Sequence, residues 1–174
     1  MDETAFWELI DKTRVMSANN GWKQADLLIA ELKKLEIAEI KKFSELMNHF
    51  IAKSYNSDLW DVAFVIGQGC GDDGFWDFRA WLVGQGKEVY ENALHDPETL
   101  VDVVSVGQET KVQDIGDAAT LAYWDITGDD ESLLSGSTFS NIPKSPYDED
   151  KARQKYFKNL AVKCNFVSTQ RGKG

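Results

Sequence analysis

Cysteine, histidine and proline are scarce in this chain, with two, two and three copies among 174 residues. Cys70 and Cys164 stand far apart and match no C-x-x-C spacing, so neither a disulfide framework nor a zinc cluster is expected to hold the fold. No apolar run approaches the roughly 18 residues that would span a bilayer, which argues against a membrane protein. The acidic start, Met1-Asp2-Glu3-Thr4, lacks the basic and apolar regions of a secretory signal. With its unpaired cysteines the chain is therefore expected in the cytoplasm. Walker A, G-x-G-x-x-G, G-x-S-x-G and H-E-x-x-H patterns are all missing, and the G-x-G-x-G at residues 67–71 has no flanking strand. On these grounds no cofactor, no metal and no catalytic residue is assigned.

Aromatic residues and acids are plentiful: six Trp, nine Phe and five Tyr accompany a net charge of −10. The charge is uneven. Residues 151–174 hold seven Lys or Arg and no acid, whereas residues 1–150 hold twelve basic against twenty-nine acidic residues, a net −17. Such a body repels phosphate backbones, which argues against a nucleic-acid ligand.

Helical periodicity predicts an all-α protein. Phe6, Leu9, Ile10 and Thr13 mark a helix over 4–16, which residues 17–21 stop. Ala25, Leu28, Ile29 and Leu32 mark a second over 22–34, and Ile37, Ile40, Phe43, Met47, Phe50 and Ile51 a third over 36–54. The segment 59–68 is apolar on nearly every face, as is the helix expected from Asp72 or Asp73 to Val83, with either aspartate as its N-cap. These two helices are expected to be central and nearly buried, joined by a glycine-rich turn and surrounded by amphipathic helices. Gly84-Gln85-Gly86 breaks the chain before a helix to Leu94, and Asp96-Pro97-Glu98 starts a short one. The β-branched stretch 100–104 is ambiguous between helix and strand and is assigned to helix, followed by a further helix over 111–126. The division reads as a helical domain at 1–127, a loop at 128–146 and a basic helix with a frayed end at 147–174. The stripe Ala152, Tyr156, Leu160 predicts that residues 151–163 fold back on the acidic body.

One cluster suggests a site. Arg79 lies between the apolar faces of its helix, close in sequence to Asp61, Asp72, Asp73 and Asp77. A buried guanidinium needs a partner, so a salt bridge within the fold is the first expectation. The alternative makes Asp72, Asp73, Arg79 and Trp81 a binding site for an anionic small molecule, because a planar guanidinium suits carboxylate and phosphate. Both histidines occur as Glu-x-x-x-His, Glu45 with His49 and Glu91 with His95, a spacing open to metal binding but more ordinary as a surface contact. Asp129-Asp130 matches no known cation loop. Cys70 as a nucleophile has no histidine near it in sequence.

Phe6-Trp7-Glu8-Leu9-Ile10-Asp11, Leu59-Trp60-Asp61-Val62-Ala63 and the run Asp72-Asp73-Gly74-Phe75 through Phe78-Arg79-Ala80-Trp81-Leu82-Val83-Gly84-Gln85-Gly86 carry a resemblance. Over roughly residues 4–125 the chain resembles a bacterial family catalogued only as a domain of unknown function. The resemblance implies a compact cytoplasmic domain, with Trp7, Asp72, Asp73, Phe75, Arg79, Trp81 and Gly86 as hallmark positions and no established catalytic residues. Residues from Gly128 onward depart from it. The reading favours a non-enzymatic protein-binding or regulatory module, acting on a protein partner or by self-association, over an enzyme or small-molecule binder.

Overall fold

The computed structural model describes residues 1–105, 107–129 and 158–164. Among these residues the fold is all-α. Helices α1 (Glu3–Met16), α2 (Gly21–Leu32), α3 (Ile37–Lys53), α4 (Ser57–Ile66), α5 (Asp72–Gly84), α6 (Lys87–His95) and α7 (Gln113–Thr127) are joined by a 3-10 helix at Pro97–Asp102 and followed by α8 (Lys158–Lys163).

The helix starts follow from local chemistry. Side-chain oxygens of Asp2, Asn20, Asn56 and Asp96 accept from the backbone N–H groups of Ala5, Lys23, Leu59 and Glu98, which would otherwise lack partners. Helix α5 differs from expectation. Its N-cap is Gly71, with no side-chain cap, so Asp72 and Asp73 fall in the first turn and act on the helix dipole instead. The stretch 100–104 continues the 3-10 helix only to Asp102, and α7 begins at Gln113 rather than Lys111.

Helix α5 is the hub. Its residues 78–84 are buried without interruption, and it packs against α1, α2, α3, α4, α6 and α7. Helix α7 lies across α2, α3 and α5, where Gly116 leaves room for the Trp76 ring; a Cβ there would come within 2.3 Å of it. Aromatic rings fill the space around α5 in two groups. Phe6, Trp7, Phe43, Phe50 and Tyr90 form one, with Trp7 and Phe50 centroids 4.6 Å apart. Tyr55, Trp60, Phe75, Phe78 and Trp81 form the other, with Trp60 stacked on Phe75 at 4.6 Å. Burying each such side chain contributes about 1.5–3 kcal/mol, so these rings dominate the stability of the body.

Gly86 joins α5 to α6 with φ +92, and a Cβ there would lie 2.3 Å from Asp11 Oδ1. Asp11 can swing aside, but the backbone angle cannot be relieved. Gly86→Ala is therefore expected to cost at least ~1 kcal/mol in urea unfolding, from the left-handed backbone alone.

Helix α8 rests on the 3-10 helix and on α4. Asn159 donates to Glu98 Oε1 at 3.1 Å, the Lys163 ammonium donates to the Val101 carbonyl, Cys164 is buried, and Val162 faces solvent. The expected start of this helix at 147, its stripe of Ala152, Tyr156 and Leu160 and the frayed end lie outside the described residues and side chains.

Candidate functional site

Arg79 is 6% exposed, and its partners are not the acids expected from sequence. Nη1 donates to the Ile51 carbonyl at 2.7 Å and Nε to the Phe75 carbonyl at 3.2 Å. The guanidinium carbon lies 4.8 Å from the ring centres of both Tyr55 and Phe75. Among the described residues it forms no ion pair. Ile51 is in the last turn of α3, where carbonyls lack helical partners and concentrate the negative end of the dipole, so the helix terminus takes the place of a carboxylate. Ser54 Oγ donates to the same carbonyl at 2.9 Å, and Tyr90 Oη donates to Phe50 O at 2.8 Å. Burial lowers the Arg79 pKa to about 10, which still leaves it charged at neutral pH.

The four residues read as a ligand site are not gathered into one. Asp72 and Asp73 are exposed on the first turn of α5, Arg79 is engaged against the Tyr55 and Phe75 rings, and Trp81 is fully buried, its ring tilted against Phe78 with centroids 5.5 Å apart. Asp77, another acid near Arg79 in sequence, feels the charge of Asp117 on α7. Burial, then the charges of Asp117 and Asp73, raise its pKa, and burial likewise raises that of Asp117. An acid raised in the folded state binds its proton more tightly there than in the unfolded chain. Its ionised form therefore destabilises the fold above the raised pKa, and the penalty disappears below the ordinary carboxylate range. Asp77→Asn is expected to raise the melting temperature at pH 7 and to leave it unchanged at about pH 3; an equal effect at both pH values would refute this.

The glycine-rich turn has a structural occupant. Lys111 reaches back 42 residues to donate to Gly69 O at 2.9 Å, and its stem would meet a Cβ at Gly67 or Gly74 at 3.0 and 3.4 Å. The glycines admit a lysine that holds the turn after α4. Trp60 Nε1 donates to Cys70 O at 3.0 Å in the same turn, and burial pushes the Cys70 thiol up to about 11, so it is protonated at pH 7 and unsuited to nucleophilic attack. His49 and His95 are exposed, while Glu45 pairs with Lys42 and Glu91 lies near Lys87. Among the described residues no group of three or more His, Cys, Asp or Glu is placed to hold a metal. His49→Ala and His95→Ala are each expected to stay within about 0.5 kcal/mol of wild type, and thermal melts with and without chelator to coincide.

A groove of about 440 Å³ opens elsewhere, between the α1–α2 turn and the loop before α7. One wall is residues 18–22; the other is Val103, Ser105, Gln108 and Glu109. The first wall is held in an uncommon backbone conformation, with Ala18 at φ 54 and Asn19 at φ 61. It is anchored where Gly21 abuts Val112, so closely that a Cβ would lie 2.8 Å from the valine. Trp22 stands in this wall with 47% of its surface exposed, and Val15 and Met16 are exposed just before the turn. Sequence reading missed this site, treating 17–21 only as a helix stop and Trp22 only as a helix start. Its one legible signal was a tryptophan outside the apolar stripe of α2.

A family model matches residues 1–125 of the chain. The chain belongs to the family described as Protein of unknown function (DUF4240). No curated protein and no solved structure is detectably similar to it. The family match contains both the Arg79 contacts and all the residues that line the groove, whereas α8 lies beyond it. Among the described residues no helix is long and apolar enough to cross a membrane.

Proposed function

We propose that this member of the DUF4240 family is a non-enzymatic module that binds a peptide segment of a partner protein in the groove beside Trp22. The observation that carries the reading is an indole half out of the core, at the wall of a groove whose size falls within the ~300–1,000 Å³ typical of binding clefts. Tryptophan is enriched at binding hot spots because it offers a large rigid surface at small entropic cost. The wall is also preorganised, since residues 18 and 19 hold a conformation that costs free energy and Gly21 is pinned against Val112. Among the described residues that line the groove Glu109 alone is ionisable, which gives acid–base chemistry little to work with.

The test is selection of peptides from a random displayed library on the wild-type protein, with counter-selection on Trp22→Ala. Peptides that bind the wild type, bind the variant at least tenfold more weakly, and shift the backbone amide resonances of residues 18–22 and Glu109 are the expected result. Recovery of binders only at other surfaces, or of none, would overturn the reading.

A further inference from the structure

Given that reading, the chemistry of the groove also describes its partner: we propose that the groove takes a basic peptide, engaging a lysine or arginine side chain with the Trp22 indole and the Glu109 carboxylate. Among the described residues that line it none is basic, and Glu109 carries a formal charge. The ring face of an exposed tryptophan attracts cations through its quadrupole, and a carboxylate in the same groove attracts the same guanidinium or ammonium chemistry. The polar rim is held in place by local bonds. Glu109 Oε1 accepts from the Lys111 backbone N–H at 2.8 Å, Gln108 Oε1 from that of Ser105 at 2.9 Å, and Asn20 Oδ1 from that of Lys23 at 2.9 Å. A carboxylate accepts several hydrogen bonds, so Glu109 keeps capacity for a donor from a ligand while its orientation is fixed. Residues 1–150 carry a net −17, a field that draws cationic segments in and repels phosphate or carboxylate ligands. Charge complementarity thus favours a basic occupant over an acidic or neutral one.

The experiment titrates four end-blocked peptides into the full chain, followed by amide resonances: Gly-Arg-Gly-Arg-Gly and its lysine, citrulline and aspartate counterparts. The arginine and lysine peptides are expected to produce saturable shifts at residues 19–22, Ser105, Gln108 and Glu109. The citrulline peptide, equal in shape but uncharged, is expected to bind at least fivefold more weakly, and the aspartate peptide not at all. Trp22→Ala and Glu109→Gln, both at exposed positions, are each expected to weaken the arginine peptide about three- to fivefold with unchanged melting curves. Equal binding of citrulline and arginine would show a neutral-peptide groove, and preference for aspartate an anion site; either overturns the proposal. So does a set of shifts spread over the surface and indifferent to both variants, which would mean diffuse attraction to the acidic body. If peptides selected without bias occupy the groove but show no preference for Lys or Arg, the binding function stands and this inference alone falls.

Discussion

Arg79→Ala is expected to destabilise the protein by about 3–5 kcal/mol in urea unfolding, the range for removing one member of a buried charged contact. The substitution removes the donor to the Ile51 carbonyl, empties the space against the Tyr55 and Phe75 rings, and loosens α3 from α5. Arg79→Met separates these effects. It refills most of the volume, and the Ile51 carbonyl keeps its bond from Ser54 Oγ, so the expected loss is only about 1–3 kcal/mol, the net worth of two hydrogen bonds. A side chain held for a ligand rather than for the fold would behave differently: both variants would unfold at wild-type urea concentrations. That outcome would restore the anionic-ligand reading of Asp72, Asp73, Arg79 and Trp81.

Trp81→Ala is expected to cost about 3–5 kcal/mol, and Phe78→Ala a similar amount, since each leaves a large cavity in a core that cannot close around it. Trp81 is fully enclosed and Phe78 nearly so, on a helix that packs against six others among the described residues. For a domain whose whole stability is of order 5–15 kcal/mol, either loss brings unfolding close to ambient conditions. The readout is the urea midpoint together with the near-ultraviolet circular dichroism of the aromatic core. A loss below about 1 kcal/mol at both positions would mean that α5 is not the centre of the packing.

Most of the helices were legible because their signals are local. An apolar residue every third or fourth position marks a buried face, and Asn20, Asn56 and Asp96 announce helix starts within three residues of the N–H groups they bond. The aspartates of α5 misled for the same reason. Two capping residues in a row offer two registers, and the backbone takes neither, since Gly71 caps. Gln24 shows the limit from the other side. It reads as one more polar residue on a surface helix, yet it is buried and donates to Gly84 O, sixty residues away, at 2.8 Å. The glycine-rich turn was legible, but not that Lys111 packs against Gly67 and Gly74, because Lys111 belongs to a different part of the chain.

The groove was the least legible feature. An exposed tryptophan and a strained turn have meaning only when the loop that forms the opposite wall is in place. Composition, periodicity and capping residues by themselves determined an acidic, all-helical protein with an aromatic core centred on the run from Phe75 to Val83. Tertiary structure alone decided that Arg79 would close the end of α3 rather than pair with the acids near it in sequence, and that Trp22 would stand at the edge of a groove. The reason is physical. Helix formation is governed by contacts three or four residues apart, whereas the partner of a buried charge, or the wall opposite an exposed ring, is set by which helices pack together.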